Sequence, residues 1–395
     1  MSQFRVLYSE KEENDISCVS CWQTLASCCL GRWTGRKCLP ISYSEASWCG
    51  LLHIAACYYD PGILNLLPQT CRNTLPPLVD YTGIGREDGD SVVLEWTKDT
   101  IVESYVSRFP ALRGARLFFG LGDGACANIG SKCSSIERIA CTVGTSAAAR
   151  VCLPLPLSND TDCCCPVQPG LFCYRINSSH VLVGGALTDG GSVVEWMAQL
   201  LNLGPVSSDA FQACLRAASQ LPLATSSSST RSPTVVPFFS GERSTGFRSG
   251  ATGAMVGLTR ETKPEHFVRG CLEGVTLRIH AIVGRIRQAV RSTQADSFPI
   301  RIVCSGKALE SNALWRQMLA DCTGCEIVMD MSTKEGTSRG VAVLLRMALD
   351  GADSFKVESL DATHTLHSDR GTAEYWADAM NSQEELIDCV SSIYE

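Results

Sequence analysis

Apolar residues recur along this chain in two periods, one helical and one of strands. The longest helical pattern covers 264–290, where Phe267, Val268, Cys271, Leu272, Val275, Ile279, Ile282, Val283, Ile286 and Val290 return at three- and four-residue intervals. That spacing puts one apolar stripe on a helix and predicts that the stripe packs on a sheet. The strands are written as short apolar runs: 139–143, a break at Gly144-Thr145-Ser146, then 147–152, which together read as a hairpin with a tip of small residues. Runs at 171–175 and 181–186 predict two more strands, and a helix is expected over 192–203. A buried strand at 300–304, the turn Ser305-Gly306-Lys307 and a helix carrying Leu314, Met318 and Leu319 form a βα unit. A last helix is expected over 338–349.

Upstream of residue 136 the pattern is looser. A helix-like apolar run over 19–30 ends at the turn Thr34-Gly35-Arg36. A helix over 100–109 leads to the run 115–121, read as a buried strand pointing at Gly122-Asp123-Gly124. Pro76-Pro77, the polar stretch 85–90, the segment 155–170 with its Cys163-Cys164-Cys165 run, and the serine-rich 226–232 read as loops. The acidic residues beyond 350 predict a mobile tail. Alternating strands and helices over most of the length argue for α/β layers.

Composition narrows the classes. A chain of 395 residues with 45% hydrophobic and 19% charged positions can bury a large core, as two domains or as one large one. Its net charge of −7, from 34 basic and 41 acidic side chains, includes no basic block that could neutralise a run of phosphates, so nucleic acid is not an expected partner. No stretch reaches the roughly 20 apolar residues of a membrane span, and the polar first residues predict a soluble, cytoplasmic protein. The 22 cysteines lie mostly in apolar runs such as Ile302-Val303-Cys304, where a thiol acts as a small hydrophobe. Neither a disulfide framework nor a metal centre is expected: the two Cys-x-x-Cys pairs, Cys18/Cys21 and Cys322/Cys325, have no second pair at finger spacing.

Three small-residue turns follow predicted strands: Gly122-Asp123-Gly124, Gly144-Thr145-Ser146 and Ser305-Gly306-Lys307. Strand ends are where α/β proteins place ligands. Glycine lets backbone N–H groups approach a phosphate, and a threonine hydroxyl adds a donor, so Gly144 and Thr145 form a candidate phosphate cradle. Asp123, between two glycines, could accept the proton of an attacking hydroxyl. Its alternative is a turn aspartate that bonds its own backbone.

Over 16–349 the sequence resembles the FGGY carbohydrate kinases, and within them the gluconokinase-like branch. The resemblance is carried by Ser42-Tyr43-Ser44-Glu45-Ala46-Ser47-Trp48 ahead of Gly50-Leu51-Leu52, Leu75-Pro76-Pro77-Leu78-Val79, Gly122-Asp123-Gly124-Ala125 with Asn128 and Gly130, Thr142-Val143-Gly144-Thr145-Ser146, Gly184-Gly185-Ala186-Leu187, and Pro237-Phe238-Phe239-Ser240-Gly241-Glu242-Arg243. The family's C-terminal signature is matched by Gly253, Met255, Gly257, Leu258, His266, Phe267, Leu272 and Glu273, with departures at Gly270 and Cys271.

The resemblance implies an actin-like, two-lobed α/β fold of the sugar kinase/Hsp70/actin class, ribonuclease H-like, with an incomplete N-terminal lobe. Residues 1–136 would be the partial sugar-binding lobe, 137–350 the nucleotide-binding lobe and 351–395 an extension. It implies ATP-dependent phosphorylation of a small carbohydrate: gluconate or a related sugar acid, a ketose or a polyol. Asp123 would be the general base and, with Gly124, a substrate contact. Gly144 and Thr145 match the second phosphate loop, Gly190 and Gly191 the helix start beside the nucleotide, and Gly306 with Lys307 through Ser311 the adenosine loop. Mg²⁺ would arrive with ATP, held by phosphate oxygens and water rather than by the protein. The implied partners are a carbohydrate and ATP, with a homodimer left open.

Relatives begin with a first phosphate loop of the Asp-x-Gly-Thr type and a Trp-x-Asp-x-Arg-like segment, whereas here Lys11-Glu12-Glu13-Asn14-Asp15 leads almost directly into a helix. Lys307 stands where the family usually has a second glycine. A truncated, non-catalytic relative that binds nucleotide or a partner without turnover is the alternative, and a cysteine-rich metal-binding protein a third. Glu242-Arg243 reads as an ion pair, either in the cleft or structural, and His266 as a surface or capping residue.

Overall fold

Positions along 138–143, 147–153 and 181–187 are buried or nearly so on both sides, which is the pattern of strands covered by helices on either face. The computed structural model describes residues 19–84, 92–157, 167–223, 231–293, 299–329, 335–352 and 355–394. Helix α1 (Asp123–Gly130) leads into strands β1 (Arg138–Val143) and β2 (Ala147–Pro154), the predicted hairpin, followed by β3 (Phe172–Arg175) and β4 (His180–Leu187). Helices α2 (Gly191–Leu200), α3 (Asp209–Ser219) and α4 (Pro264–Thr293) precede β5 (Arg301–Ser305). Then come α5 (Ala313–Thr323), β6 (Glu326–Met329), α6 (Gly336–Asp350), β7 (Thr365–Leu366) and α7 (Ala373–Tyr394).

The strands form one seven-stranded sheet in the order β7-β6-β5-β1-β2-β4-β3. β1, β2 and β4 are antiparallel neighbours, while β5 pairs in parallel with β1 and with β6. Three antiparallel strands continued by two parallel ones reached through helices is the ribonuclease H-like order implied above.

Period-two alternation sends the two halves of each strand to different cores. Val151, Leu153, Val181 and Val183 face α4 and its Ile279, Ile282 and Ile286, whereas Cys152 and Leu182 face Ala125, Cys126, Ile129 and Leu344 under α1 and α6. Each fully buried Val, Leu or Ile is worth about 1.5–3 kcal/mol relative to exposure, so the α4 stripe is the main anchor of that face. The opposite face depends on contact between helix backbones. A methyl group on Gly340 would lie 1.8 Å from the Cys126 carbonyl oxygen, and one on Gly130 would lie 1.7 Å from that of Gly336. Only glycine fits at either position.

The segment ahead of α1 holds short elements. The helix Leu25–Thr34 is capped by the Thr24 hydroxyl, so it starts inside the run 19–30 rather than at its beginning, and it ends at Gly35 in the left-handed region, at the expected turn. The buried Arg175 joins this segment to the sheet, its Nε donating to the Ile54 carbonyl at 2.6 Å and its Nη2 to that of Ala55 at 2.8 Å. Asp80 completes the joint by accepting from the Ser178 N–H at 2.8 Å.

Several expectations are corrected. The run 115–121 is strand only at Arg116–Leu117, and Gly122-Asp123-Gly124 is not a free turn: it starts α1. No mobile tail follows residue 350 through the described residues. β7 extends the sheet, and α7 turns Tyr375, Trp376, Ala379, Gln383 and Ile387 inward at helical spacing, its acidic residues lying mostly outside. Buried Gln383 donates through Nε2 to the carbonyls of Val235 and Gly274, at 2.7 and 3.0 Å. Cys21 is bonded to Cys38, the single bridge among the described residues rather than a framework. Cys322 and Cys325 are buried thiols, the latter accepting from Arg287 Nη2 at 2.8 Å. Cys18, the Cys163–Cys165 run and the segments 85–90 and 226–230 lie outside the described residues. Among the described residues no helix is long and apolar enough to cross a membrane, and no group of three or more His, Cys, Asp or Glu could hold a metal ion.

Two stability measurements follow from this packing. Gly340→Ala forces α1 and α6 apart, and urea unfolding is expected to show a loss of about 3 kcal/mol or more, beyond an ordinary overpacking cost; an unchanged midpoint would refute the backbone contact. Burial, reinforced by the Arg175 charge, pulls the His180 imidazole down to about 4. Below the ordinary histidine value of about 6.5, the unfolded chain therefore takes up a proton that the folded chain refuses. Stability present above that value is lost as pH falls toward 4. The melting temperature should drop across this interval, and more gently in His180→Gln; parallel curves would count against the assignment.

Candidate active site

The tip of the β1–β2 hairpin is fastened to the start of α2. Gly191 donates its N–H to the Gly144 carbonyl at 2.7 Å, and Gly190 to that of Thr145 at 2.8 Å. Side chains are excluded here: a methyl group on Gly191 would lie 2.6 Å from the Gly144 oxygen, and one on Gly190 2.7 Å from the Ser146 carbonyl. The turn after β5 closes on the same point. Gly306 has φ 95°, and a methyl group on it would lie 2.3 Å from the Val143 carbonyl oxygen. The Thr142 and Ser305 hydroxyls, one strand apart, are 2.9 Å from each other. Buried Asp189 steadies the start of α2, accepting from the Ser192 hydroxyl at 3.2 Å and the Ser240 N–H at 2.6 Å.

Beside this junction lies a cavity of about 490 Å³. Gly144, Thr145, Gly191, Lys307 and Ser311 line it on one side, and Val206, Phe211, Leu215 and Trp315 give it apolar surface. Its volume is in the range of small-molecule sites, and its lining suits a ligand with a flat apolar part and a polar chain. The structure thus gathers Gly144, Thr145, Gly191, Lys307 and Ser311 around one space, while Gly190 and Gly306 hold its walls. The apolar lining from α3 and from Trp315, whose indole N–H is bound to Thr276 at 3.0 Å, escapes sequence reasoning because such positions look like any helix core.

Asp123 and Gly124 do not line this cavity. Asp123 is the exposed first residue of α1, and its Oδ1 accepts from the Gly124 N–H at 2.6 Å, the backbone bond weighed in the sequence. Its surroundings are aromatic and cationic. A methyl group on Gly124 would lie 2.7 Å from Tyr174 Oη and 3.7 Å from Arg150 Nε, and Trp48 packs edge-on to Tyr174 with ring centres 5.5 Å apart. Arg150 Nε is buried without a hydrogen-bond partner among the described residues. Burial raises the Tyr174 phenol above its ordinary value against the opposing pull of Arg150, so at neutral pH it stays a hydroxyl able to donate. Arg150 is three residues from Ala147, about 10 Å of strand from the hairpin tip, so β2 carries one end of each group. Trp48 enters the sequence reading only as part of the 42–48 motif, and Arg150 and Tyr174 not at all; the available signal is an arginine beside the small-residue run Ala147-Ala148-Ala149.

One side assignment changes and one narrows to the capping reading. Glu242 pairs with Arg248 at 2.7 Å rather than with Arg243, and its buried carboxylate accepts the N–H of Gly246 at 3.0 Å, so this carboxylate shapes the 237–248 loop. His266 is buried, and its Nδ1 accepts the Lys263 N–H at 3.1 Å as a helix cap.

Residues 139–349 match the model of the C-terminal domain of the FGGY family of carbohydrate kinases. A gluconokinase of Bacillus licheniformis is 26% identical over 253 residues, covering 62% of this chain and 46% of that protein. A gluconokinase of Bacillus subtilis (strain 168) is 24% identical over 325 residues, covering 81% and 57%. The chain therefore spans about half the length of the curated relatives it matches. The crystal structure of ligand-bound xylulose kinase from Lactobacillus acidophilus superposes with a TM-score of 0.76 at 22% identity, covering 98% of this chain and 71% of that one. The matched segment includes every glycine of the junction between hairpin tip, α2 and the turn after β5, and on that ground the chain belongs to the FGGY family of carbohydrate kinases.

Proposed function

We propose that this chain carries the transfer of the γ-phosphoryl group of ATP to a hydroxyl of a small carbohydrate: gluconate or a related sugar acid, a ketose or a polyol. The cavity that gathers Gly144, Thr145, Gly191, Lys307 and Ser311 is the observation that carries this reading. In it, 137–350 is the nucleotide-binding lobe, 1–136 supplies part of a sugar-binding lobe, and 351–395 is an extension packed on the former through α7. The adenine lies against Phe211, Leu215 and Trp315, and the phosphates run toward Gly144 and Thr145, whose backbone and hydroxyl meet charge as it develops on the transferring group. Mg²⁺ bound with ATP would supply further charge neutralisation, held by phosphate oxygens and water.

Asp123 takes the proton of the attacking hydroxyl in this reading. Its exposed carboxylate faces no competing cation in an ion pair among the described residues, and general-base catalysis is worth about 10²–10⁴ in rate. The neutral Tyr174 hydroxyl and the Arg150 guanidinium beside it offer donors that could orient a polyhydroxylated acceptor. A second reading, nucleotide binding without turnover, is favoured by one observation: Asp123 does not line the cavity that holds Gly144 and Thr145.

ADP release measured over a panel of sugar acids, ketoses and polyols separates the two. Catalysis predicts acceptor-dependent ADP formation that falls about 10²–10⁴-fold in Asp123→Asn, with ATP affinity retained. Full activity in that variant would overturn the role of Asp123, and ATP binding with no ADP from any acceptor would favour the second reading.

A further inference from the structure

Lys307 occupies the position where the family resemblance predicts a second glycine, and the structure gives the extra side chain a surface to act on. It lines the cavity together with Gly144, Thr145 and Gly191. Its side chain is exposed and makes no ion pair among the described residues. The step 307–308 sits against the glycine wall rather than the apolar end: a methyl group on Gly191 would lie 3.3 Å from Ala308 Cβ. The other charged residue of the lining, Glu195, is one turn further along α2 than Gly191, about 6 Å along the axis. Positive charge therefore stands at the glycine end and negative charge beyond it.

An unneutralised ammonium beside a cradle of small residues is placed to meet an anion. We infer that Lys307 binds the phosphate chain of the nucleotide, so that this chain selects nucleoside di- and triphosphates over nucleosides by charge as well as by backbone contact. The inference rests on the nucleotide reading of the cavity and adds a specificity-determining side chain to it. A lysine has the reach and rotatable donors to follow a phosphate chain as a point charge, which the glycine it replaces cannot do.

Calorimetric titration of the full chain with ATP, ADP and adenosine, at low and high salt, tests it. Lys307→Met is expected to weaken ATP and ADP about tenfold, the scale of one charge-assisted hydrogen bond, while leaving adenosine unchanged. Lys307→Arg, which keeps the charge, restores most of the affinity, and the salt dependence of ATP binding is steeper for the parent than for Lys307→Met. Equal ATP affinity in Lys307→Met, or adenosine weakened in step with ATP, would overturn the role of Lys307 and leave the cavity's ligand intact. A parent chain that binds neither ATP nor adenosine would overturn both readings at once.

Discussion

The site depends on a backbone junction: the first N–H groups of α2 bound to the carbonyls of a hairpin tip. The bonds from Gly191 to Gly144 and from Gly190 to Thr145 use two donors that a helix start leaves unpaired. A side chain at 190 or 191 would push α2 off the sheet. Because the tip, α2 and the turn at Gly306 meet within van der Waals contact, none can move alone. The cavity beside them is thus fixed by a sheet whose strands are buried on both faces, the rigid support a phosphate-holding loop requires.

How much of this could be read from the letters follows from which forces are local. The β1–β2 hairpin, the α4 stripe and the β5 turn announce themselves through periodicity, since each element's burial pattern is set by the sheet it covers. Gly144, Thr145 and Gly306 were legible because a strand followed by small residues is a local signal. The α1 start reads as a turn because Gly122-Asp123-Gly124 carries turn residues, while the helix is held by the packing of the distant Gly340 against Cys126. The terminal helix reads as a tail because its acidic outer face dominates the composition, and its inward face becomes meaningful only against α4. Arg150 and Tyr174 converge on Gly124 from two strands that are not neighbours, separated by β4. No spacing rule reaches such a pair.

The segment ahead of α1 lacks a large sheet among the described residues; small apolar clusters around Leu39 and Val79 and around Ile41 and Leu52 fill it, and polar contacts join it to the sheet. Arg175, fully buried, spends its donors on carbonyls of 54, 55, 155 and 178, and the Ser44 and Ser47 hydroxyls accept the N–H groups of Gly122 and Arg175. A buried guanidinium is costly unless each donor is met. Here the acceptors come from both sides of the joint, so the interaction specifies one docking of the two parts more sharply than apolar contact would. The same serines sit in the segment that carries Trp48 to Tyr174. The geometry around Asp123 is therefore a consequence of that docking.

The two chemical groups are linked through β2. Its first residue pairs with the last of β1 at the hairpin tip, and three residues on, Arg150 reaches the start of α1 on the other face of the sheet. Moving β2 along its axis would displace the hairpin tip and the surroundings of Asp123 together. Such a slip would also exchange the cores of Val151 and Cys152, since a strand shifted by one residue turns every side chain to the opposite face. Register, enforced by two separate apolar cores, is thus the means by which the sheet holds the Asp123 carboxylate and the cavity beside Gly144 at a constant separation.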